Sequence, residues 1–187
     1  NAYCETCASV GMAFWNQRMN LFRGESKYAD VVETEIMNGI LSGLSLKGDH
    51  YFYENPLASV GTHHRRDWFT VPCCPTNLVR FVPSIGGYIY AQAPGELTVN
   101  QYVASSVRTE AGVAVRMETN YPWDGRIMVR VEEAPGALRL NLRMPGWCEK
   151  YALRLNGADR GLAPEEGYLG MDVRPGDEIV LDLDMPV

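Results

Sequence analysis

The sequence has little of what several protein classes require. No run of apolar residues approaches the roughly 18 that a membrane-spanning helix needs. The cysteines number 5, and an odd total does not suit a secreted disulfide framework. The 17 lysines and arginines are scattered and the net charge is −6, whereas a nucleic-acid-binding domain shows a basic face. We therefore expect no membrane segment and no nucleic-acid partner.

The composition is that of an ordinary globular chain. Of the 187 residues 46% are hydrophobic and 21% are charged, which excludes disordered and fibrous classes. This length suits one large domain or two small ones, with a core that needs no disulfide staples. The chain opens at Asn1 directly before a segment rich in cysteine and aromatic residues, and it closes on an alternating strand at Val187. We expect it to be a piece of a larger protein.

The first half of the chain has helical periodicity. Apolar residues from Cys7 to Leu21 predict a helix that Gly24 ends, and Ser26 is the predicted N-cap of a second helix over 27–43. The short linker between the two helices favours an antiparallel pair. A third helix is expected over about 75–86, with Pro75 in its first turn and Pro83 forcing a kink or an early end.

From about residue 88 the periodicity becomes two. Alternating runs recur with turn signals between them, and this spacing is typical of an antiparallel β-sandwich. The predicted strands lie at 88–90, 96–102, 112–117, 126–131, 137–142, 151–155 and 178–183. The sequence thus predicts an α+β chain with a helical domain over residues 1–88 and a β-sandwich over 89–187.

Three cysteines and one carboxylate are the strongest candidates for chemistry. Glu5, Cys7, Cys73 and Cys74 are the donor types that zinc accepts. Glu5 and Cys7 would diverge on a regular helix, so both reach one ion only from a turn or a frayed first turn. Buried free cysteines are the plainer interpretation, and redox chemistry at the Cys4–Cys7 pair is a third one without the βαβ context it needs.

The position of Cys73 adds a further hypothesis. It lies at or just before the N-terminus of the third predicted helix, where the helix dipole and a metal would both lower the pKa of a thiol. Such a thiolate is a potential nucleophile, although a fully coordinated zinc ligand is commonly only structural.

Several other residues have a functional and a plainer interpretation. His63 and His64 could bind a metal or transfer protons, yet a pair of histidines in a surface loop is usually just solvated. Tyr53 follows a short predicted strand and could line a cleft. Of Glu33 and Glu35, one is expected to face solvent and the other the helix pair. Trp123 could stack on a sugar ring, although an aromatic that anchors a turn is commoner.

The motifs taken together resemble the β-L-arabinofuranosidase family, glycoside hydrolase family 127 and its relatives. The most specific matches are Glu5-Thr6-Cys7 and Cys73-Cys74-Pro75. Supporting matches lie at 29–33, 38–43, 51–57, 68–72, 121–125 and 142–147. The resemblance covers nearly the whole chain and implies an (α/α)6 barrel followed by a β-sandwich, with residues 1 to about 88 forming the last barrel helices.

The resemblance also implies roles for single residues. A zinc ion would be held by Glu5, Cys7, Cys73 and Cys74, and Cys73 would be the nucleophile of a retaining reaction on an L-arabinofuranoside. Tyr53 matches a tyrosine that contacts the sugar, and Glu33 matches a carboxylate near the pocket. Cys4 matches no ligand and is expected in the core.

The resemblance places the general acid/base glutamate upstream of Glu5-Thr6-Cys7, so we expect the chain alone to be inactive and its first two helices to expose apolar faces. The expected partners are an L-arabinofuranose-containing oligosaccharide or glycoconjugate and the N-terminal barrel of the same polypeptide. A binding or structural sandwich module, with structural zinc or free cysteines, is the alternative. The sugar, its linkage and the compartment stay open, with reduced thiols favouring the cytoplasm over the periplasm.

Overall fold

The computed structural model describes residues 3–185. The chain divides into two compact units, one ending at Gly87 and one beginning at Tyr88. The first unit is helical and the second is built of strands. The observed fold class is therefore α+β with a sandwich-like second unit, as the sequence predicts.

The first unit contains three main helical segments. Helix α1 is Thr6–Arg23, α2 is Ser26–Thr34, and α3 is Cys73–Phe81. Helix α2 continues as a π-helix over Glu35–Ile40 and a 3₁₀ turn over Leu41–Gly43, and α3 continues as a 3₁₀ turn over Val82–Ser84. Their buried apolar side chains form the packed interior of this unit: Val10, Ala13, Ala29, Val32, Ile36, Ile40, Leu78 and Phe81.

The helix ends follow local chemistry. Gly24 ends α1 because it takes a left-handed conformation (φ 68°), and its N–H donates to the Asn20 carbonyl at 2.8 Å. The prediction of Ser26 as an N-cap is wrong by one position, since Ser26 is already helical and Glu25 holds the extended cap conformation. Pro83 falls in the 3₁₀ turn, so α3 ends at Phe81, earlier than residue 86.

The π-helix after α2 is a feature that the sequence analysis did not predict. Val32 at the end of α2 and Ile36 and Ile40 in the π-helix are buried and repeat every four positions. A four-residue repeat is longer than the 3.6-residue α-helical turn, so an underwound helix keeps all three side chains on one buried face.

A single helical turn, α4 (Gly86–Ile89), runs across the boundary between the units, where a strand was expected at 88–90. The described part of the second unit, up to residue 185, contains the strands β1 Tyr90–Ala93, β2 Glu96–Val99, β3 Ser105–Arg108, β4 Ala114–Thr119, β5 Arg126–Glu133, β6 Leu138–Arg143, β7 Tyr151–Leu155, β8 Ala158–Asp159, β9 Tyr168–Val173 and β10 Glu178–Leu183. They form two sheets, ordered β1-β2-β6-β9 and β3-β4-β5-β10-β7-β8. Inward side chains from both sheets make one continuous core.

Two details of the sheets differ from the prediction. Strands β2 and β6 pair in parallel, so the four-stranded sheet is mixed, although its other pairings are antiparallel. Strands β3, β8 and β9 were not predicted, and in β9 Gly170 occupies a position between the buried Leu169 and Met171 where an outward polar residue would have marked the strand.

Across residues 3–185, none of the helices combines the length and the apolar character that crossing a membrane would require.

Candidate metal and thiolate site

The candidate site is built where the N-termini of α1 and α3 meet. Glu5 holds the extended N-cap position of α1 and Cys7 is the second residue of that helix, while Cys73 and Cys74 are the first two residues of α3. On a regular helix the side chains of Glu5 and Cys7 would point in different directions. Because the backbone at Glu5 is extended, its carboxylate can lie on the same side as the Cys7 thiol.

Backbone pairing with the segment around Tyr53 fixes the start of α1. The Thr6 N–H donates to the Tyr53 carbonyl at 3.0 Å, and the Asn55 N–H donates to the Cys4 carbonyl at 2.8 Å. The Asn55 side-chain amide also donates to the Thr6 hydroxyl oxygen at 2.9 Å, and that hydroxyl donates to the Phe52 carbonyl at 3.0 Å. The chain therefore holds the first part of the site in place with hydrogen bonds of its own.

The four predicted ligand residues come together. One donor atom from each of Glu5, Cys7, Cys73 and Cys74 lies within 4.8 Å of the other three. The Sγ atoms of Cys7 and Cys74 are 3.3 Å apart, and those of Cys73 and Cys74 are 3.9 Å apart. Glu5 Oε1 is 3.7 Å from Cys73 Sγ and 3.9 Å from Cys74 Sγ.

These separations fit a single zinc ion. Two sulfur ligands at about 2.3 Å from a tetrahedral zinc lie about 3.8 Å apart, and the two sulfur pairs here lie 3.3 and 3.9 Å apart. Three thiols and one carboxylate also form a complete four-donor set. The site therefore suits zinc in both donor chemistry and spacing.

The three thiols differ in how readily they ionise in the metal-free chain. Burial raises the pKa of the fully buried Cys74 thiol, and burial likewise raises the pKa of the Cys7 thiol. The pKa of the Cys73 thiol is lowered, chiefly by the Tyr53 hydroxyl, whose oxygen lies 3.2 Å from Cys73 Sγ. Cys73 is thus the thiol best suited to react as a thiolate.

Two neighbours of the sulfur atoms complete the site. The ring of Tyr53 packs on Phe69 with centroids 5.5 Å apart. The hydrogen bond between the Tyr53 hydroxyl and Cys73 Sγ raises the pKa of that hydroxyl. The Asn77 amide donates to Cys7 Sγ at 3.3 Å. The sequence analysis missed Asn77, although its place one turn after Cys73 on the same helix face was a usable signal.

Other predicted residues lie apart from the four donors. Glu33 is 8% exposed on α2 and does not belong to the donor group. Cys4 is half-buried, which differs from its expected place in the core. His63 and His64 are exposed, and His63 stacks on Phe52 with centroids 4.8 Å apart.

Trp123 in the β4–β5 turn does not anchor that turn through its ring. The side chain is 90% exposed, and the turn is instead closed by its backbone N–H, which donates to the Asn120 carbonyl at 2.8 Å.

Comparison with known proteins assigns both units to one family. Residues 1–87 match the family model "Beta-L-arabinofuranosidase, GH127 catalytic domain", and residues 96–185 match "Beta-L-arabinofuranosidase, GH127 middle domain". The chain is 37% identical to a non-reducing end β-L-arabinofuranosidase of Bifidobacterium longum subsp. longum, over 99% of this chain and 31% of that protein.

Solved structures of two relatives have the same fold. A GH127 β-L-arabinofuranosidase from Geobacillus stearothermophilus T6 is 40% identical, with a TM-score of 0.92 over 100% of this chain and 32% of that one. Another GH127 β-arabinofuranosidase is 34% identical, with a TM-score of 0.92 over 99% of this chain and 33% of that one. The chain spans about a third of the length of these relatives. Its two units match consecutive domains of one family, and the chain belongs to the β-L-arabinofuranosidase family, glycoside hydrolase family 127.

Proposed function

We propose that this chain carries the zinc–thiolate part of a retaining glycoside hydrolase that acts on β-L-arabinofuranosides, with Cys73 as the nucleophile. The observation that carries the proposal is the position of Cys73 Sγ, which lies in the four-donor cluster and 3.2 Å from the Tyr53 hydroxyl oxygen. The relatives named as β-L-arabinofuranosidases support the substrate class.

In this mechanism the Cys73 thiolate attacks the anomeric carbon of the arabinofuranoside. The carbon–sulfur bond forms as the glycosidic carbon–oxygen bond breaks, and the leaving oxygen takes a proton from a general acid. Water then attacks the same carbon, gives up a proton to the conjugate base, and releases the thiolate. Two inversions at one carbon give net retention of configuration.

The residues around Cys73 have distinct proposed roles. Glu5, Cys7, Cys73 and Cys74 would hold zinc, which supplies positive charge that keeps its thiol ligands deprotonated when it is bound. Tyr53 orients Cys73 Sγ through its hydroxyl and contacts the sugar. Glu33 is proposed as a carboxylate that supports substrate binding from α2. The helical unit is proposed to form the last helices of an (α/α)6 barrel, with the sandwich following it.

Zinc content tests the metal part of the proposal. Protein purified under reducing conditions is expected to contain about one zinc per chain, measured by atomic emission. Cys73→Ser should lower that content because it removes one of four ligands. Cys148→Ser is the matched control, since Cys148 lies in the second unit with its Sγ on the Lys150 carbonyl at 3.1 Å, and it should leave zinc unchanged. A metal-free complete polypeptide would overturn the zinc and nucleophile assignments together.

Activity of the chain by itself tests whether the nucleophile and the proton donor lie in different parts of the polypeptide. Retaining catalysis needs a proton donor as well as a nucleophile, and the family resemblance places that donor upstream of Glu5. The purified 187-residue chain is therefore expected to hydrolyse an aryl β-L-arabinofuranoside no faster than background, while the complete polypeptide encoded by the gene turns it over. Turnover by the chain alone, well above background, would contradict this assignment of roles.

A further inference from the structure

A second feature of the helical unit is a cavity of about 580 Å³ on the loop side of Tyr53. It is lined by Phe52, Tyr53, Glu54, His63, His64 and Arg66, with Thr62 and Phe69 completing the wall. Its volume lies within the 300–1,000 Å³ typical of small-molecule sites. Tyr53 lines this cavity and also contacts Cys73 Sγ, so the cavity adjoins the thiolate site.

Three polar side chains on the cavity wall are not used by the fold. Within residues 3–185, the side chains of Glu54, His64 and Arg66 make no hydrogen bond or ion pair, and Arg66 only faces the Phe69 ring at 5.9 Å. They offer a carboxylate, an imidazole and a guanidinium, and Phe69 adds an aromatic ring to the same wall. Polar donors and acceptors next to aromatic faces are what the hydroxyl groups and C–H faces of a sugar require.

The loop that carries these groups is held in one arrangement. His63 stacks on one aromatic ring, Phe52, while its Nε2 contacts the Glu54 carbonyl oxygen at 2.9 Å. The Arg65 guanidinium lies 4.4 Å from the centroid of the Phe52 ring and donates to the Ser42 carbonyl at 2.7 Å. The Arg66 backbone pairs with Tyr51 in both directions. A site already ordered in the free protein binds ligand with a smaller entropic penalty.

We propose that this cavity is a glycan subsite, which binds the portion of the substrate that adjoins the arabinofuranose attacked by Cys73. Arg66 and His64 donate hydrogen bonds to its hydroxyl groups, and Glu54 accepts one. The proposal rests on the proposed function, because it takes Cys73 as the point where the arabinofuranose is held. It makes the loop over residues 54–66 a determinant of which arabinofuranosides are preferred.

The test compares two substrates in the complete polypeptide. One is an aryl β-L-arabinofuranoside, and the other is an arabinofuranosyl disaccharide that extends beyond the attacked sugar. Arg66→Ala and His64→Ala should each lower kcat/KM for the disaccharide about tenfold more than for the aryl substrate, mainly through KM. Arg66→Lys should fall between wild type and Arg66→Ala, because lysine keeps the charge and loses the planar fork. Arg160→Ala removes an exposed arginine from the second unit and is the matched control, which should leave the ratio of the two substrates unchanged.

The remaining outcomes of this experiment would contradict the subsite proposal. Equal losses on both substrates would place the cavity in the arabinofuranose pocket itself or show a general effect on folding, and would overturn the proposal. Unchanged ratios in all three cavity variants would also overturn it. A wild-type polypeptide that hydrolyses neither substrate would remove the proposed function, and this proposal with it. Normal hydrolysis of the aryl substrate with unchanged ratios would remove the subsite alone.

Discussion

Tyr53 connects two parts of the helical unit at the scale of a single residue. Its hydroxyl group meets Cys73 Sγ, its ring packs on Phe69, and its backbone carbonyl accepts from the N–H of Thr6. The same residue therefore fixes the start of α1, contacts the sulfur and forms a wall of the cavity. A variant that lacks only the Tyr53 hydroxyl would lose the contact with the sulfur and keep the backbone and ring contacts.

We predict that Tyr53→Phe raises the pKa of the Cys73 thiol in the zinc-free protein. The hydroxyl stabilises the thiolate, so without it less Cys73 is ionised at neutral pH. Iodoacetamide alkylation of Cys73, followed by peptide mass spectrometry after chelation, should move to higher pH in the variant. Tyr28→Phe, on α2, is the control and should leave the alkylation profile in place. An unchanged profile in Tyr53→Phe would show that the hydroxyl does not govern the ionisation of Cys73.

Donor chemistry was readable from the sequence, but the neighbours of the donors were not. Three cysteines and a carboxylate stand out by residue type, so the sequence alone predicted the four residues that come together in the structure. The contact of Tyr53 with Cys73 depends on the backbone path of the 19 residues between them, and the sequence of that loop does not predict this path. Asn77 was missed because an asparagine on a helix is usually an ordinary polar residue.

The π-helix packs closely against α1 at a glycine. Gly39 lies inside it, and a Cβ there would sit 2.7 Å from Ser9 Cβ on α1 and 2.9 Å from Glu35 Oε2. Real Cβ atoms do not approach that closely, so α1 and the π-helix meet at a position that only glycine fits.

We predict that Gly39→Ala destabilises the helical unit by about 1–3 kcal/mol in free energy of unfolding, because α1 and the π-helix must move apart. Gly11→Ala is the matched control, since a Cβ at the exposed Gly11 on α1 meets nothing within 4 Å. That substitution should be neutral or stabilise by up to about 1 kcal/mol through helix propensity. Urea denaturation followed by circular dichroism measures both changes. Equal stability of the two variants would contradict the close packing.

The periodicity of the sequence predicted most elements, and the failures have physical reasons. A helical pattern over 27–43 is real, yet hydrophobic spacing alone cannot show that its second part is underwound. Tyr88 and Ile89, expected in a strand, instead end a helical turn that begins with two glycines, and the Ile89 carbonyl accepts from the N–H groups of Asn100 and Gln101. The parallel pairing of β2 with β6 depends on chain topology, which local alternation does not encode.

On the scale of the whole chain, the described residues leave large apolar side chains of α1 in solvent. Trp15 is 65% exposed and Phe22 is 81% exposed, and the two lie two helical turns apart on one face. Met12 on the same face is 47% exposed. An exposed apolar row of this kind favours self-association of the isolated chain.

We predict that the 187-residue chain self-associates through this row. The double variant Trp15→Glu/Phe22→Lys should lower the weight-average mass in sedimentation velocity at raised protein concentration, because it replaces two exposed aromatics with charges of opposite sign. Leu46→Lys is the control, since Leu46 is a fully exposed apolar residue in a loop, and it should change the mass little. A double variant that associates as strongly as wild type would locate the contact elsewhere.

The separation of the donor residues along the chain has a consequence for biosynthesis. Cys7 and Cys74 meet in the folded site although 67 positions separate them. At a ribosomal rate of about 5–20 residues per second, the thiol of Cys7 emerges roughly 3–13 seconds before its partner. During that interval Cys7 is a thiol of the nascent chain without its later neighbours Cys73 and Cys74, open to oxidants and to any passing thiophilic metal. The proposed site therefore requires Cys7 to stay reduced until Cys73 and Cys74 have been translated.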